Sequence, residues 1–175
     1  MNNLSKIALV LSAFAFSSAA NAQTFSPVGT HKFEGTLKLK KTLPDAFCDV
    51  SLDFIIAPDG SATINNAVVG GAAIGCNLIN FTGAPYTIVP LTSGPPTDLF
   101  ALNFRVDIDG VPSIPLAPDA CEGTLRFELG SNGTAATLEF VDVKSDVPGV
   151  PGGTPFPCKI EGVLIEQDPH ITTVS

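Results

Sequence analysis

Basic residues are scarce in this chain. It has 9 Lys and Arg residues against 17 Asp and Glu residues, which gives a formal net charge of −8. A surface with this sign of charge repels phosphate backbones and anionic lipid head groups, so we expect no nucleic-acid partner. An acidic excess also keeps many small proteins soluble and implies no activity by itself.

Catalytic signatures are also missing. The chain has two histidines, His31 and His170, and no GxSxG sequence that could present a serine nucleophile. Its four cysteines include no CxxC pair, which argues against a zinc site. We therefore expect no catalytic residue and no cofactor, and we predict that the protein is not an enzyme.

No apolar run has the length of a transmembrane helix. The run at 7–16 follows Lys6 and is too short to cross a bilayer, as in a secretory signal. Cleavage after Ala22 would leave residues 23–175 as a single secreted β domain. We predict a signal peptide at 1–22, no transmembrane segment in the mature form, and a secreted, periplasmic or cell-surface location. A retained anchor helix is the alternative.

A pattern that occurs twice is the strongest positive signal. In each copy a cysteine is followed by leucine, phenylalanine and glycine 4, 6 and 12 positions later, and then by another cysteine. The two copies are Cys48, Leu52, Phe54, Gly60 and Cys76, and then Cys121, Leu125, Phe127, Gly133 and Cys158. This spacing is typical of a strand, a turn and a returning strand. It indicates two related halves, approximately residues 30–91 and 98–167.

Four cysteines in an exported chain predict two disulfides. The duplication favours one bridge in each copy, Cys48–Cys76 and Cys121–Cys158. Loops of this length would each contribute about 3–4 kcal/mol on the chain-entropy account. Pairing of Cys48 with Cys121 across the two halves is the alternative.

Alternating apolar and polar residues predict antiparallel strands along most of the mature chain. The clearest runs are 30–40, 48–56 and 100–108, each with one apolar face. Short strands punctuated by glycine and proline, without helical periodicity, indicate an all-β fold. We predict an antiparallel β-sandwich, with a small β-barrel as the alternative.

Irregular segments carry separate expectations. The return strand at 61–69 should place Val68 inward, and residues 75–81 should form a short strand around Cys76. Residues 147–157 are rich in proline and glycine and predict an exposed loop. The tail after Asp168 is expected to fray.

A Glu-Gly-x-Leu sequence begins at Glu34, at Glu122 and at Glu161. Each glycine follows the inward alternation of its strand, where a missing side chain allows a bulge or a close strand contact. We expect this structural role and no binding role.

Acidic side chains offer a few chemical candidates. Asp107 and Asp109 point to the same side of a strand and form a calcium candidate, although the other acidic positions of an EF-hand are absent. The alternative is a polar strand end. A secreted hydrolase could use Asp107 with Asp109, or Glu122 with Glu161, and the spacing favours neither pair.

Two further sequence features are relevant to the surface. Asn80 and Asn132 begin glycosylation sequons, which matter only in a source that glycosylates its exported proteins. Ala101, Val163 and Ile165 alternate with residues that are themselves predicted to be buried. Either protein covers both faces of these strands, or apolar surface is exposed and suits self-association or adsorption at an oil–water boundary.

The layout of the chain resembles the alkane-oxidation protein activator family of the PraB type. These small exported bacterial proteins have an early phenylalanine-containing strand, a cysteine strand with a hairpin, and a Gly-Gly segment before another cysteine. The resemblance spans residues 30–166, and the insert at 147–157 departs from it. The matching stretches are Phe33-Glu34-Gly35-Thr36-Leu37, Phe47-Cys48-Asp49-Val50-Ser51-Leu52-Asp53-Phe54, and Val69-Gly70-Gly71 through Cys76.

The resemblance implies a secreted, non-enzymatic accessory protein that acts at hydrophobic interfaces, where it assists alkane emulsification or uptake. The partners it implies are a hydrophobic interface or apolar small molecules, with self-association. It implies no catalytic residues. A surface-exposed structural subunit of a fibre, pilus or biofilm matrix is the alternative, since paired β modules with disulfides and few charges suit it equally well.

Overall fold

The computed structural model describes residues 24–41, 45–73, 75–91, 99–109, 118–141, 146–151, 153–167 and 171–174. Within these ranges the chain forms strands and one short 3₁₀ helix, without an α-helix. The elements are β1 Thr24–Ser26, β2 Gly29–Lys40, β3 Ala46–Ile56, β4 Ala62–Gly70, η1 Cys76–Leu78, β5 Ile79–Thr82, β6 Tyr86–Thr87, β7 Val89–Pro90, β8 Leu99–Ile108, β9 Asp119–Ser131, β10 Ala136–Phe140, β11 Lys159–Glu166 and β12 Thr172–Val174.

Most of the strands belong to one antiparallel sheet. Its order is β5-β8-β9-β10-β11-β2-β3-β4-β6, and β7 pairs separately with β8. β1 and β12 form a second, two-stranded sheet, which we call the ribbon. Because β11 pairs with β2, the last long strand of the sequence lies beside the first, and the two halves share one sheet.

The β2–β3 hairpin shows why the sheet has a buried face. Its register runs from Gly29 opposite Ile56 to Leu39 opposite Ala46. Alternate side chains of a strand point to the same face, so the predicted alternation places one set in the core. The buried set on these two strands is His31, Phe33, Leu37, Leu39, Ala46, Cys48, Val50, Leu52, Phe54 and Ile56.

A bulge reverses the inward face of β4 in its second half. The register of β4 against β3 shifts near the middle of the pair, and Asn66 there has a φ of 46°. Beyond this point Ala67 and Val69 pack against the core, whereas Val68 is exposed. The prediction that Val68 points inward was wrong, because one extra residue shifts the alternation of a strand to the other face.

Two glycines of the Glu-Gly-x-Leu sequences allow β2 and β11 to approach closely. A Cβ on Gly35 would lie 2.5 Å from the carbonyl oxygen of Val163. A Cβ on Gly162 would lie 3.0 Å from the carbonyl oxygen of Thr36, and Gly162 has a φ of 134°. The expected close strand contact is confirmed at both positions.

The segment 86–90 bridges the two edges of the sheet. β6 pairs with β4 through Tyr86 opposite Ile64, and β7 pairs with β8 through Val89 opposite Ala101. The sheet thereby curls into a half-barrel around one hydrophobic core. The all-β antiparallel class is confirmed, and the single curled sheet is nearer to the barrel alternative than to two separate sheets.

Both disulfides follow the pairing that the duplication favours. Cys48–Cys76 joins β3 to η1, and Cys121–Cys158 joins β9 to the residue that precedes β11. The strand predicted at 75–81 begins only at Ile79. Its first part is the helical turn η1, in which the bridge draws Cys76 back toward β3.

The ribbon packs over one end of the half-barrel, which we call the ribbon end. The Phe25 ring lies 5.4 Å from that of Phe54 and 5.0 Å from that of Phe100, centroid to centroid. Ile171, which precedes β12, is buried. The expected fraying after Asp168 was therefore wrong for this part of the tail, because β12 pairs with β1 and apolar contacts hold it.

The segment predicted as an exposed loop at 147–157 is partly built into the core. Val147 is fully buried and exchanges two backbone hydrogen bonds with Cys158, of 2.9 and 2.8 Å. Gly149 forms a bridge with Cys121. The prediction was wrong for Val147, because these pairings hold the segment against β9 beside the Cys121–Cys158 disulfide.

Candidate functional site

Several large apolar side chains lie on the outer surface. Phe47 is 63% exposed and Phe156 is 58% exposed. The others are Val28, Val68, Val89, Val141, Val163 and Ile165. Single exposed apolar residues are ordinary, so only those that share a face point to a function.

Three of these side chains form a patch on the outer face of β10 and β11. Val163 and Ile165 are two residues apart on β11 and point the same way. Glu139 lies opposite Val163, which places Val141 at the next outward position beside β11. Val141, Val163 and Ile165 are 42%, 41% and 40% exposed, and we call them the outer patch.

Phe47 lies on the same outer face as the outer patch. In the registers of β2 with its two neighbours, Lys38 lies opposite both Glu161 and Phe47. Lys38 forms ion pairs with Glu161 and with Asp45, so charged pairs separate Phe47 from the outer patch. The face therefore alternates apolar and paired charged side chains.

Strands with apolar residues on both faces were expected either to be covered by protein on both sides or to expose apolar surface. Each expectation holds for a different strand. Ala101 on β8 is buried where β7 pairs beside it, which is ordinary core. Val163 and Ile165 on β11 are exposed, as the interface interpretation expects.

The aspartates of the calcium candidate each have other partners. Asp107 accepts a hydrogen bond of 2.9 Å from Thr82 and forms an ion pair of 3.0 Å with Arg105. Burial would raise the pKa of Asp107, but the hydrogen bonds from Arg105 and Thr82 outweigh it and lower that pKa. Asp109 accepts a hydrogen bond of 2.9 Å from Asn80. Calcium binding there stays a prediction, and no group of three or more His, Cys, Asp or Glu side chains in the described ranges is placed to hold a metal.

The glutamates of the hydrolase alternative belong to separate ion pairs. Glu122 accepts a hydrogen bond of 2.9 Å from Arg105, and Glu161 accepts one of 3.2 Å from Lys38. Their strands, β9 and β11, are separated by β10. Two strand spacings amount to about 10 Å, which exceeds the carboxylate separation of glycosidase pairs.

A buried histidine and glutamate meet beneath the ribbon. Nδ1 of His31 lies 2.8 Å from Oε1 of Glu166, and Nε2 donates to the carbonyl oxygen of Pro27 at 2.9 Å. Oε2 of Glu166 accepts hydrogen bonds from the backbone N–H groups of Ile171 and Ala136. The His31 side chain is 2% exposed, and its contacts connect β11 and the segment after β1 at the ribbon end.

Glu166 is not among the site residues predicted from the sequence. A signal was present, because the inward alternation of Ile160 and Leu164 continues to Glu166. A carboxylate at an inward position of one strand requires a buried partner, and His31 is the inward histidine of the neighbouring strand.

A second buried ion pair lies at the end of the half-barrel opposite the ribbon. Nζ of Lys41 donates to Oδ1 of Asp119 at 2.7 Å and to the carbonyl oxygen of Ala120 at 2.6 Å. Thr154 Oγ1 donates to Oδ2 of Asp119 at 2.5 Å. Burial would raise the pKa of Asp119, but hydrogen bonds from Lys41, Thr154 and the Ala120 N–H outweigh it and lower that pKa.

Some predicted features lie outside the described residues. They are the signal peptide at 1–22, Gly110 beside the calcium candidate, and His170. Within the part of the chain that the structure describes, no helix has the length and apolarity that a membrane crossing requires.

The family model described as alkane oxidation protein activator PraA/PraB-like matches residues 1–175. The chain belongs to this family. The PraA/PraB-like match extends over the whole sequence, beyond the stretch at 30–166 that carried the resemblance. No curated protein and no solved structure matches the chain.

Membership in the PraA/PraB-like family indicates an accessory role in alkane oxidation, since the family is described as an activator. The two disulfides are compatible with an oxidising compartment outside the cytoplasm.

Proposed function

We propose that this PraA/PraB-like protein is a secreted, non-enzymatic accessory protein that adsorbs at the boundary between water and hydrocarbon and assists alkane emulsification or uptake. The observation that carries the proposal is the outer face, on which Phe47 and the outer patch remain exposed. Each Å² of apolar surface that leaves water on adsorption contributes about 25 cal/mol.

The charged pairs on the same face support this role. Lys32 pairs with Glu34 at 2.6 Å, and Lys38 pairs with Glu161 at 3.2 Å. Charges interspersed with apolar side chains keep such a face hydrated in bulk water and limit the size of any continuous apolar patch. At an oil surface the same face can direct its apolar side chains into the oil while its charges stay at the water side.

A structural subunit of a fibre, pilus or biofilm matrix is the second candidate. A long open strand edge would favour it, because such an edge templates strand addition. In the described residues, the two ends of the sheet are β5 and β6, of 4 and 2 residues, and residues 86–90 connect its edges. This arrangement supports the accessory protein over the subunit.

Pendant-drop tensiometry tests the proposal. The purified oxidised protein should lower the interfacial tension of hexadecane in water further than an acidic globular protein of similar mass. A variant with Phe47→Ser, Val163→Thr and Ile165→Thr should lose most of this effect, because it removes apolar surface from one face.

The matched control replaces the same residues by Phe47→Leu, Val163→Ile and Ile165→Val, which keeps the face apolar and should keep the activity. Circular dichroism checks that both variants retain the strand signal. Equal tension curves for the polar variant and the wild type would refute adsorption through this face. Filaments or large oligomers in electron microscopy would instead support the subunit.

A further inference from the structure

The half-barrel has an apolar cavity at the end opposite the ribbon. The cavity measures about 50 Å³, and residues from five strands line it, among them Leu39, Ile79, Val106, Ile108 and Ile160. Ligands bind preferentially in the mouths of β-barrels, where a few polar groups border an apolar interior. We call this cavity the mouth cavity.

A smaller cavity of about 30 Å³ lies deeper in the core. Phe81 and Ile160 line both cavities, so their side chains form the wall that the two share. The deeper cavity extends along the interior toward Leu164 and Phe140. Tyr86 also lines the deeper cavity, and its hydroxyl donates a hydrogen bond of 2.5 Å to the carbonyl oxygen of Thr82.

Of the two side chains in this wall, Phe81 is the less buried. It lies on β5, which pairs with β8 on one side and adjoins β4 without a strand ladder on the other. The Phe81 side chain is half-buried, and its ring contacts that of Phe104 with centroids 5.1 Å apart. A rotation of this ring toward the gap between β4 and β5 would join the two cavities.

Apolar cavities do not hold water well, because a water molecule needs two to four polar partners. The two volumes together have room for about three carbon groups of an apolar guest. An engineered cavity of about 150 Å³ is known to bind benzene in another protein, so cavities of about 50 and 30 Å³ select a narrower guest. The end of an unbranched alkyl chain has the required shape and chemistry.

The rim of the mouth cavity suits a chain that continues into water. Lys40 and Lys159 line it, with side chains 48% and 39% exposed. The ion pair of Lys40 with Asp45 is of the exposed kind that contributes little stability. Lys40 can therefore turn toward the oxygen of an alcohol or carboxylate at the end of the chain.

We propose that the mouth cavity binds the terminal carbons of an unbranched alkyl chain, with Phe81 as the inner gate. The proposal deepens the proposed function, because it adds a site for single alkyl chains to a protein whose outer face adsorbs at hydrocarbon. The recognised group is the alkyl chain, which hydrocarbons and their oxidised products have in common.

The test is a titration in bulk water, without an oil phase. The purified oxidised protein, labelled with ¹³C at its Ile, Leu and Val methyl groups, is titrated by NMR with 1-alkanols from methanol to hexanol. Affinity should rise about four-fold for each added methylene, the factor that corresponds to a buried CH₂, and should level off by about three carbons. Methyl shifts should concentrate at Val106, Ile108 and Ile160.

A second titration uses the alkanoates of the same lengths. Tighter binding of the alkanoate would identify an oxidised chain held by Lys40, and equal binding would identify the hydrocarbon chain as the recognised part. Both results require that the alkyl chain binds in the mouth cavity. Affinity that rises without levelling off, or methyl shifts confined to Val163 and Ile165, would overturn the proposal.

The variant Ile108→Phe fills the mouth cavity and should weaken alkanol binding at least ten-fold. Ile55→Phe makes the same change on the outer face near the ribbon end and should leave binding unchanged. The wild-type shift map decides the outcome even if Ile108→Phe does not fold. The variant with Phe47→Ser, Val163→Thr and Ile165→Thr should lose most of its adsorption and keep its alkanol binding, so failure of the proposed function and failure of the cavity site are distinguishable.

Discussion

The buried Lys41–Asp119 pair provides the sharpest test of the structure. Replacing Lys41 by methionine keeps much of the side-chain volume and removes the charge. The change deletes two hydrogen bonds, of 2.7 Å to Asp119 and 2.6 Å to the Ala120 carbonyl oxygen. The two side chains are 2% and 7% exposed, so water does not readily replace the ammonium group.

The expected cost follows from these contacts. Breaking one partner of a buried ion pair costs about 3–5 kcal/mol, because the other charge is left without compensation. The Asp119 carboxylate keeps its hydrogen bonds from Thr154 and the Ala120 N–H, which favours the lower end of this range. We expect Lys41→Met to lower the free energy of unfolding by about 3 kcal/mol and Tm by about 6–12 °C.

The loss of stability in Lys41→Met should depend on pH in a defined direction. The pKa of Asp119 is lowered in the folded protein, so its stabilisation is present above the ordinary aspartate pKa of about 3.9 and is lost as pH falls through the folded value. Without Lys41 that pKa rises. The stability difference between wild type and Lys41→Met should therefore be largest at neutral pH and shrink toward about pH 3.

Urea unfolding of the oxidised protein, at neutral pH and in acid, measures the change in unfolding free energy and its dependence on pH. Lys40→Met is the matched control, because the side chains of the Lys40–Asp45 pair are 48% and 35% exposed, and it should cost much less than Lys41→Met. Adding Asp119→Asn to Lys41→Met removes the uncompensated charge and should restore part of the loss. A cost below about 1 kcal/mol for Lys41→Met with an unchanged urea m-value would refute the buried pair.

Three further predictions concern the sheet and its closure. Burial and the charge of Asp107 raise the pKa of Tyr86 to about 12, so the only tyrosine of the chain should give little tyrosinate absorbance at pH 11 while folded and full absorbance in urea. Replacing Cys48 and Cys76 together by alanine opens a loop with a sequence separation of 28 and should lower the unfolding free energy by about 3.6 kcal/mol in urea titrations; an unchanged midpoint would contradict the bridge. Gly35→Ala places a Cβ 2.5 Å from a backbone oxygen of the neighbouring strand and should cost about 2 kcal/mol by thermal melting, whereas a melting midpoint equal to that of wild type would show that β2 and β11 are not so close.

The strands that the sequence predicted best have uninterrupted alternation. The runs predicted at 30–40 and 100–108 correspond closely to β2 and β8, because a period of two records directly which face of a strand meets the core. The prediction failed at Val68, where the bulge at Asn66 shifts the alternation by one residue. Such a bulge leaves little trace in composition.

Parts of the candidate site were also visible in the sequence. The outward positions of Val163 and Ile165 follow from alternation, but their exposure depends on whether another segment covers them. Ala101, with the same pattern, is covered by β7. The ion pair of His31 with Glu166 joins residues 135 positions apart, so their separate alternation could place each inward but could not show that they meet.

By itself, the sequence determined the all-β class, the inward faces of the long strands and, through its duplicated pattern, the favoured disulfide pairing. These features depend on local alternation and spacing, which the chain carries at every position. Only the tertiary structure decided that residues 86–90 connect the sheet edges, that the ribbon packs over one end, and that an apolar cavity remains at the other. Each of these depends on which distant segments exclude water from one another, and that is settled only when the whole sheet curls around its core.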